Sequence, residues 1–246
     1  MLVLLPPSEG KATDGDGPPL DLASLTLPGL TAAREEAMAA LIEVCSGPEE
    51  EARKTLGLSP AQTDALKRNL SLETAPTLRA DQLYTGVLYD RLGLADLPRT
   101  DRLLVFSGLW GAVGSADRLP PYRLSIGVKL PSLGGLGTYW RRAAKKELDE
   151  FTEGHLLVDC RSSVYAAAYK SKAALPVRVL RERVVDGQTE RSVVSHMAKA
   201  TRGDITRSLL LEDVDARTPE ELAEALRDLG QTVELGQGRL DVVVRD

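Results

Sequence analysis

Residues 1–11 read MLVLLPPSEGK, and this opening decides the class of fold. Five apolar residues in succession predict a short buried strand. Pro6 and Pro7 end the strand, because proline fixes φ and lacks the amide hydrogen of a sheet ladder. The polar turn that follows lies at the carboxyl end of the strand, where α/β proteins commonly bind their ligands.

Helices and strands alternate along the rest of the chain. Strands are predicted at 103–106, 156–160, 177–185, 191–195, 232–235 and 239–244, and helices at 31–44, 59–70, 139–151, 196–211 and from Thr218 onward. Asp186-Gly187 is a hairpin signal between two of these strands. The pattern predicts an α/β (mixed α+β) class: a single large domain over residues 1–246, with a mixed sheet, flanking helices and a cationic cleft.

The charge is distributed unevenly. The net charge of −5 argues against a generic nucleic-acid binder. Three stretches without acidic residues, at 118–146, 161–181 and 191–203, nevertheless contain 15 of the 31 lysines and arginines. The other 16 share the rest of the sequence with all 36 aspartates and glutamates. These stretches either converge on a cationic cleft or form separate solvated faces, and the sequence leaves both readings open.

Cysteines and histidines are few. Cys45 and Cys160 lack the spacing of a metal or redox pair and are interpreted as core thiols. His155 and His196 cannot complete a zinc site, so we expect no metal and no cofactor. Residues 1–5 are too short to span a membrane, and no basic segment precedes them. We therefore expect a cytoplasmic protein.

The turn after the first strand is the first candidate site. Lys11 is suited to an anionic ligand, while Ser8 and Gly10 are candidate hydrogen-bond donors. Glu9 is a candidate acid–base group. The spacing is not that of a phosphate-binding P-loop, and an ordinary turn remains the alternative.

The second candidate lies at 107–111 and 120–130. Two glycines flank Trp110 in the motif Ser-Gly-Leu-Trp-Gly, and they permit unusual backbone angles. Arg123 and Lys129 follow without an acidic neighbour, and both suit phosphate. A packed loop with distant ion pairs is the alternative.

Two helices carry further cations. On the helix predicted at 139–151, Arg142 and Lys146 share a face. On the helix predicted at 196–211, Lys199 and Arg202 border an apolar stripe. Both patterns suit phosphate contact, and both also suit solvated or snorkelling side chains. Two glycine turns, at 27–31 and 56–63, loosely fit a helix-hairpin-helix motif, which grips phosphate with backbone amides.

These segments, in this order, resemble the bacterial YaaA peroxide stress protein family (DUF328, UPF0246). The resemblance rests on the opening at 1–11, Tyr84-Thr85-Gly86, Ser107-Gly108-Leu109-Trp110-Gly111, Pro121-Tyr122-Arg123-Leu124, Gly127-Val128-Lys129-Leu130, the pair Tyr139-Trp140, and Ala198-Lys199-Ala200-Thr201-Arg202-Gly203. It implies a mixed α/β fold with a cationic cleft, association with double-stranded or distorted DNA, a helix-hairpin-helix element, and a role in limiting peroxide and iron damage.

Two functional hypotheses follow. In the first, a DNA-binding stress protein contacts phosphates through Ser8, Lys11, Arg123, Lys129, Arg142, Lys199 and Arg202. In the second, an enzyme acts on a nucleotide, a nucleobase or another anionic small molecule, with Glu9 as acid–base group and Lys11 or Lys129 as nucleophile or electrostatic stabiliser. Its stacking surfaces are Tyr84, Trp110 and Tyr122. An iron-binding role has little support, because no carboxylate–histidine motif is present.

Overall fold

A computed structural model describes residues 1–62, 64–98, 100–185, 188–193 and 195–245. The protein has an α/β architecture whose centre is an eight-stranded mixed sheet. The strands are β1 (Leu2–Leu5), β2 (Leu78–Arg79), β3 (Leu103–Ser107), β4 (Gly111–Gly114), β5 (Arg118–Leu119), β6 (Lys129–Leu130), β7 (Gly134–Gly135), β8 (Leu157–Asp159), β9 (Ala174–Val185), β10 (Gln188–Ser192), β11 (Val233–Gly236) and β12 (Arg239–Arg245).

The main sheet has the strand order β11-β12-β9-β8-β1-β3-β4, with β10 paired to β9. Its five central strands, β12, β9, β8, β1 and β3, are parallel, whereas β4, β10 and β11 run antiparallel to their neighbours. Parallel strands are covered on both faces, so their sequences are continuously apolar. Accordingly, Val3, Leu4 and Leu5 of β1 are fully buried.

The order of the strands reverses at β1. The chain passes from β1 to β3 on one side and later returns to β8 on the other side of β1. At such a switch point the loops that leave neighbouring strands diverge and open a crevice at the carboxyl ends of the strands. The turn at 6–11 leaves β1 at this place.

Helices cover the sheet. They are α1 (Thr31–Ser46), α2 (Glu49–Leu56), α3 (Asp64–Leu70), α4 (Ala80–Leu83), α5 (Val87–Leu92), α6 (Leu136–Ala143), α7 (Lys145–Thr152), α8 (Ser163–Ala166), α9 (Ser195–Leu211) and α10 (Pro219–Asp228), with short 3-10 helices at Leu22–Ser24, Pro28–Leu30, Pro60–Gln62 and Leu94–Asp96. One hydrophobic core includes residues from Met1 to Val242. The mixed α/β class predicted from the sequence is confirmed.

Three predicted elements differ from those observed. The helix predicted at 139–151 is two helices, because Ala144 leaves the regular α conformation, with φ −95° and ψ −7°. The helix predicted at 59–70 is a 3-10 turn at Pro60–Gln62 followed by α3. The strand predicted at 191–195 ends at Ser192, and α9 begins at Ser195. The turn residues Asp186 and Gly187 lie outside the described residues.

Both cysteines are buried and free, as predicted. Burial raises the pKa of Cys160 to about 12, against the opposing charge of Arg202, so this thiol is kept protonated and unreactive. None of the helices in the described part of the chain has the length and apolar composition needed to cross a membrane.

Candidate functional site

The turn after β1 is held rigidly against the segment at 84–85. Lys11 forms an antiparallel bridge with Tyr84, and its Nζ donates a hydrogen bond to the carbonyl oxygen of Ser8 over 2.9 Å. The Oγ of Ser8 accepts the amide hydrogen of Thr85 over 3.1 Å and donates to the carbonyl of Gly10. The hydroxyl of Ser8, predicted to bind phosphate, is therefore already used to shape the turn.

The amine of Lys11 lies over two tyrosine rings. Its Nζ is 4.3 Å from the ring centroid of Tyr122 and 5.4 Å from that of Tyr84. Both rings are buried, and Tyr84 also stacks on Tyr89, whose hydroxyl donates to the carbonyl of Pro6 over 2.6 Å. A lysine in this position gains cation–π attraction but loses hydration.

A chain of hydroxyl groups links the two tyrosines to the end of β3. The Oη of Tyr84 lies 3.1 Å from the Oη of Tyr122, which lies 2.6 Å from the Oγ of Ser107 at the end of β3. The amides of Leu109 and Trp110 each donate to this Oγ over 3.1 Å. Burial raises the pKa of both tyrosines, so their hydroxyls stay protonated and can pass a proton along the chain.

Two arginines complete the site. The guanidinium of Arg123 donates to the carbonyl of Glu9 over 3.1 Å. The side chain of Asn69 accepts from the amide of Arg123 and donates to its carbonyl, each over 2.9 Å, and so fixes this residue to α3. The neighbouring residue on α3 is Arg68. We call Lys11, Arg68, Tyr84, Tyr122 and Arg123 the Lys11 cluster.

The three cations of the Lys11 cluster have no carboxylate partner among the described residues. Lys11, Arg68 and Arg123 each bond to a backbone carbonyl, and within the described residues none of them forms an ion pair. Other cations of the chain do pair with carboxylates, for example in Arg79–Asp81 and Arg91–Asp204. Positive charges that are close together and lack a carboxylate partner attract an anion.

The pKa of Lys11 is lowered from 10.5 to about 7. Burial is the largest cause, and the charges of Arg123 and Arg68 lower it further, whereas the carboxylate of Glu9 opposes the shift. At neutral pH a substantial part of the amine is therefore unprotonated and retains a free lone pair.

The other predicted cations are located on β6, α6 and α9. Lys129 is exposed on β6, beside a surface groove of about 550 Å³ that also includes Glu51 of α2. Arg142 is exposed on α6, near Tyr139, and Lys199 is exposed on α9. No described contact joins these three side chains to Lys11, so their convergence and their phosphate-binding role remain predictions.

Arg202 is half-buried at the β9 side of the sheet. One of its terminal nitrogens donates to the carbonyl of Val177 over 2.8 Å, and its Nε has no partner within the described residues. Arg202 therefore ties α9 to the sheet. Its predicted phosphate contact stays a prediction.

The predicted stacking surfaces are not open. Trp110 is fully buried and meets Tyr122 edge-to-face, with ring centroids 5.8 Å apart. The face of Tyr122 that a guest would need is covered by Lys11. The rings of Tyr84 and Tyr122 therefore surround the amine of Lys11 and are not free to stack on a ligand. Glu9 is exposed and stays accessible to a ligand.

Sequence reasoning missed Arg68 and Asn69. Asn69 follows Ala65 and Leu66 at four and three residues, so it occupies a core position of α3, and it is fully buried. A polar residue on the buried face of a helix must find partners, and this spacing is the signal that predicts a specific role for Asn69. No comparable signal marks Arg68, whose position becomes clear only once α3 packs beside Arg123.

The glycine amides of the two turns are already hydrogen-bonded. The amides of Gly57 and Leu58 donate to the carbonyls of Lys54 and Arg53, and the amide of Ser59 donates to the side chain of Gln62 over 2.9 Å. The amide of Gly29 in the other turn donates to Glu147 over 2.9 Å. These turns cap helices, and the location of a helix-hairpin-helix element stays a prediction.

Fold and site together define a class: an α/β protein with unpaired cations and a tyrosine-lined lysine at its switch point. The comparisons with known proteins make this more specific. Residues 1–232 match the family model described as peroxide stress protein YaaA.

Named relatives agree with this match. A UPF0246 protein of Streptomyces coelicolor is 52% identical over 240 residues, which cover 95% of this chain and 92% of that protein. A UPF0246 protein of Corynebacterium glutamicum is 38% identical over 242 residues, covering 95% of each chain. An uncharacterized protein of Campylobacter jejuni is 29% identical over 209 residues, covering 82% of each. The chain belongs to the YaaA (UPF0246) family of peroxide stress proteins.

Proposed function

We propose that this protein limits peroxide damage in the cytoplasm by binding DNA, and that the Lys11 cluster contacts the phosphate backbone. The observation that supports this proposal is the group of three cations without carboxylate partners in the described structure, at the carboxyl edge of β1. Membership of the peroxide stress protein family supports the proposed role in limiting peroxide damage.

The acidic remainder of the molecule restricts where DNA binds. A groove of about 1100 Å³ along α1 includes the carboxylates of Asp21, Glu35, Glu43 and Glu73. Such a surface repels phosphate. Binding is therefore confined to a local positive site, and its affinity falls with added salt because phosphate contacts release counterions.

The test is fluorescence anisotropy with labelled intact duplex, bulged duplex and single-stranded DNA over a series of salt concentrations. For the wild-type chain, log affinity should fall linearly with log salt concentration. The double variant Arg68→Gln, Arg123→Gln should bind more weakly, with a slope smaller by about 2, because two phosphate contacts are lost.

The charge-matched control is Arg217→Gln, Arg245→Gln. Both arginines are exposed and lie outside the Lys11 cluster, and the control changes the net charge by the same amount. It should keep the wild-type slope. DNA binding that is absent, that does not depend on salt, or that weakens equally in both double variants would contradict the proposal.

A second candidate function is catalysis on a nucleotide, nucleobase or other anionic small molecule. The lowered pKa of Lys11 favours it, because phosphate binding alone gains nothing from a partly neutral amine. In this case Lys11 is the nucleophile and exposed Glu9 the acid–base group, while Lys129 stays a predicted electrostatic contributor. A thermal-shift screen of phosphorylated metabolites tests it, and a screen without any stabilising compound counts against it.

A further inference from the structure

The surroundings of Lys11 differ from those of a lysine that acts only as a positive charge. Such a lysine keeps its ammonium group hydrated or paired with a carboxylate. The Nζ of Lys11 instead lies over the rings of Tyr84 and Tyr122, and its hydrogen bond goes to one backbone carbonyl. This environment favours an amine that can act as a nucleophile.

The unpaired arginines beside the amine limit the choice of electrophile. Arg123 is fixed by Asn69 and by the carbonyl of Glu9, and Arg68 lies close enough for its charge to act on Lys11. Guanidinium groups in fixed positions recognise phosphate in preference to uncharged groups. A molecule held here would therefore carry its phosphate next to the position of the amine.

We infer that the Nζ of Lys11 forms an imine with the aldehyde carbon of a phosphate-bearing aldehyde, whose phosphate is held by Arg123 and Arg68. This inference rests on the proposed phosphate-binding function of the Lys11 cluster and extends it to a covalent step. No cofactor, oxidant or reductant is required.

The imine forms in two stages, addition of the amine to the aldehyde and then loss of water. The lone pair of the neutral amine attacks the carbonyl carbon, the C–N bond forms, and the π electrons of the carbonyl move to its oxygen. A proton passes from nitrogen to that oxygen and gives a carbinolamine. The hydroxyl group then leaves as water when a second proton moves from nitrogen to oxygen, so that amine and aldehyde yield imine and water.

Hydroxyl groups and a carboxylate belong to the residues that surround the amine. The hydroxyl chain from Tyr84 through Tyr122 to Ser107 is protonated and continuous, with oxygens 3.1 and 2.6 Å apart. Glu9, on the same turn as Lys11, is exposed to solvent, and its carboxylate lies close enough to raise the pKa of Lys11. Proton transfer by such positioned groups accelerates carbonyl chemistry.

Two kinds of molecule carry an aldehyde close to a phosphate. One is the ring-opened deoxyribose of an abasic site in DNA, which has an aldehyde next to phosphodiesters. The other is a free phosphorylated aldehyde of low molecular weight. Both combine one reactive carbonyl with a nearby phosphate, and the experiment separates them.

The experiment uses the full chain with sodium cyanoborohydride, which reduces an imine to a stable amine. The probes are a duplex with one abasic site, the same duplex with a tetrahydrofuran analogue that lacks the aldehyde, glyceraldehyde 3-phosphate, and glyceraldehyde. Intact mass and peptide mapping measure the adducts. We expect a single adduct on Lys11, one of nine lysines, from at least one aldehyde that bears phosphate.

The controls separate a specific imine from random labelling. Lys11→Arg should reduce the adduct at least about tenfold, because the guanidinium is not nucleophilic at neutral pH. Lys172→Arg, which replaces an exposed lysine, should leave it unchanged. The peptide map of the wild-type chain identifies the lysine that carries the adduct, so the test holds even where a variant fails to fold. Equal labelling by glyceraldehyde and glyceraldehyde 3-phosphate, or labelling spread over surface lysines, overturns the inference.

The outcomes also distinguish this inference from the proposed function. Salt-dependent binding of intact duplex without any covalent adduct overturns the imine and leaves DNA binding intact. A Lys11 adduct with glyceraldehyde 3-phosphate in a protein that does not bind DNA supports the imine and overturns DNA binding.

Discussion

A lysine amine placed against two buried aromatic rings cannot keep its full hydration shell, and this loss of hydration destabilises its charged form. That is the main reason why the pKa of Lys11 is lowered to about 7, and two nearby arginines add to it. The tyrosines below it are affected in the opposite direction, because burial raises the pKa of a group that becomes negative. The cluster thus combines a partly neutral amine with fully protonated hydroxyls.

The first prediction concerns this pKa. The rate at which acetic anhydride labels Lys11 should rise with a midpoint near pH 7, well below the ordinary lysine value of about 10.4. Arg123→Gln removes a like charge and should raise the midpoint by about half a unit, the size expected for one charge in a high effective dielectric. Mass spectrometry of labelled peptides measures each lysine separately.

Two control variants change charges at other positions. Glu9→Gln should shift the midpoint downward, since the carboxylate of Glu9 raises the pKa of Lys11. Arg217→Gln should leave it unchanged. A midpoint for Lys11 near that of the exposed lysines would show that the amine is hydrated in solution.

The sign of the linkage between Lys11 and stability follows from the lowered pKa. Between pH 7 and 10.5 the unfolded chain binds a proton at Lys11 that the folded chain has released. The contribution of Lys11 to the free energy of unfolding therefore rises with pH across this window, and below it the fold carries the full cost of the buried charge.

Some residues of the site were predictable from sequence and others were not. The apolar run of β1 and its double proline locate Lys11 at a strand end, so this residue could be predicted. The contribution of Asn69 depends on hydrogen bonds to Arg123 across 54 residues of sequence, and no local pattern encodes that separation. The burial of Trp110 depends equally on tertiary packing.

At the scale of elements, the contact between α5 and α9 explains a motif that the sequence left ambiguous. Gly203 lies inside α9, where a glycine normally costs about 1 kcal/mol relative to alanine. A Cβ at this position would lie 2.9 Å from the Cβ of Arg91 and would collide with the carbonyl oxygen of Leu88. Gly203 is therefore required for two helices to approach closely, and its neighbours Lys199 and Arg202 flank a packing contact.

The second prediction follows from this contact. Gly203→Ala should lower the free energy of unfolding by about 2 kcal/mol, because α5 must move to admit the methyl group. The control is Gly137→Ala in α6, where a Cβ would meet only the carbonyl oxygen of Ile126 at 3.9 Å. This control should be neutral or stabilising by up to about 1 kcal/mol. Urea denaturation followed by circular dichroism measures both, and equal effects would contradict the close helix contact.

At the scale of the whole molecule, the sequence correctly indicated the mixed sheet, whereas the convergence of its cations on one cleft stays a prediction. Acid-free stretches were the strongest signal for a single cleft. Several of their cations have local partners, such as Lys145 with Asp149 and Lys146 with Glu150 on α7. Sequence proximity cannot reveal these pairings, because a helix brings residues four apart together and a sheet joins distant ones. Lys11, Arg68 and Arg123 come together, and none of them has a carboxylate partner among the described residues.

The C-terminal hairpin, formed by β11 and β12, lies wholly beyond residues 1–232, which match the family model, and the third prediction concerns its removal. Its second strand, β12, runs parallel to β9 from Leu240 to Arg245, and Leu240 and Val242 are fully buried. Removing residues 233–246 exposes apolar surface and leaves an unpaired strand edge, which promotes association between chains. We expect the truncated chain to aggregate, or to unfold at a clearly lower urea concentration, as measured by light scattering and circular dichroism. Removal of 245–246 alone is the control and should change the urea midpoint little, since Arg245 is exposed. A truncated chain that stays monomeric and as stable as the full chain would show that the sheet is complete at β9, and the hairpin would then need another explanation than closure of the core.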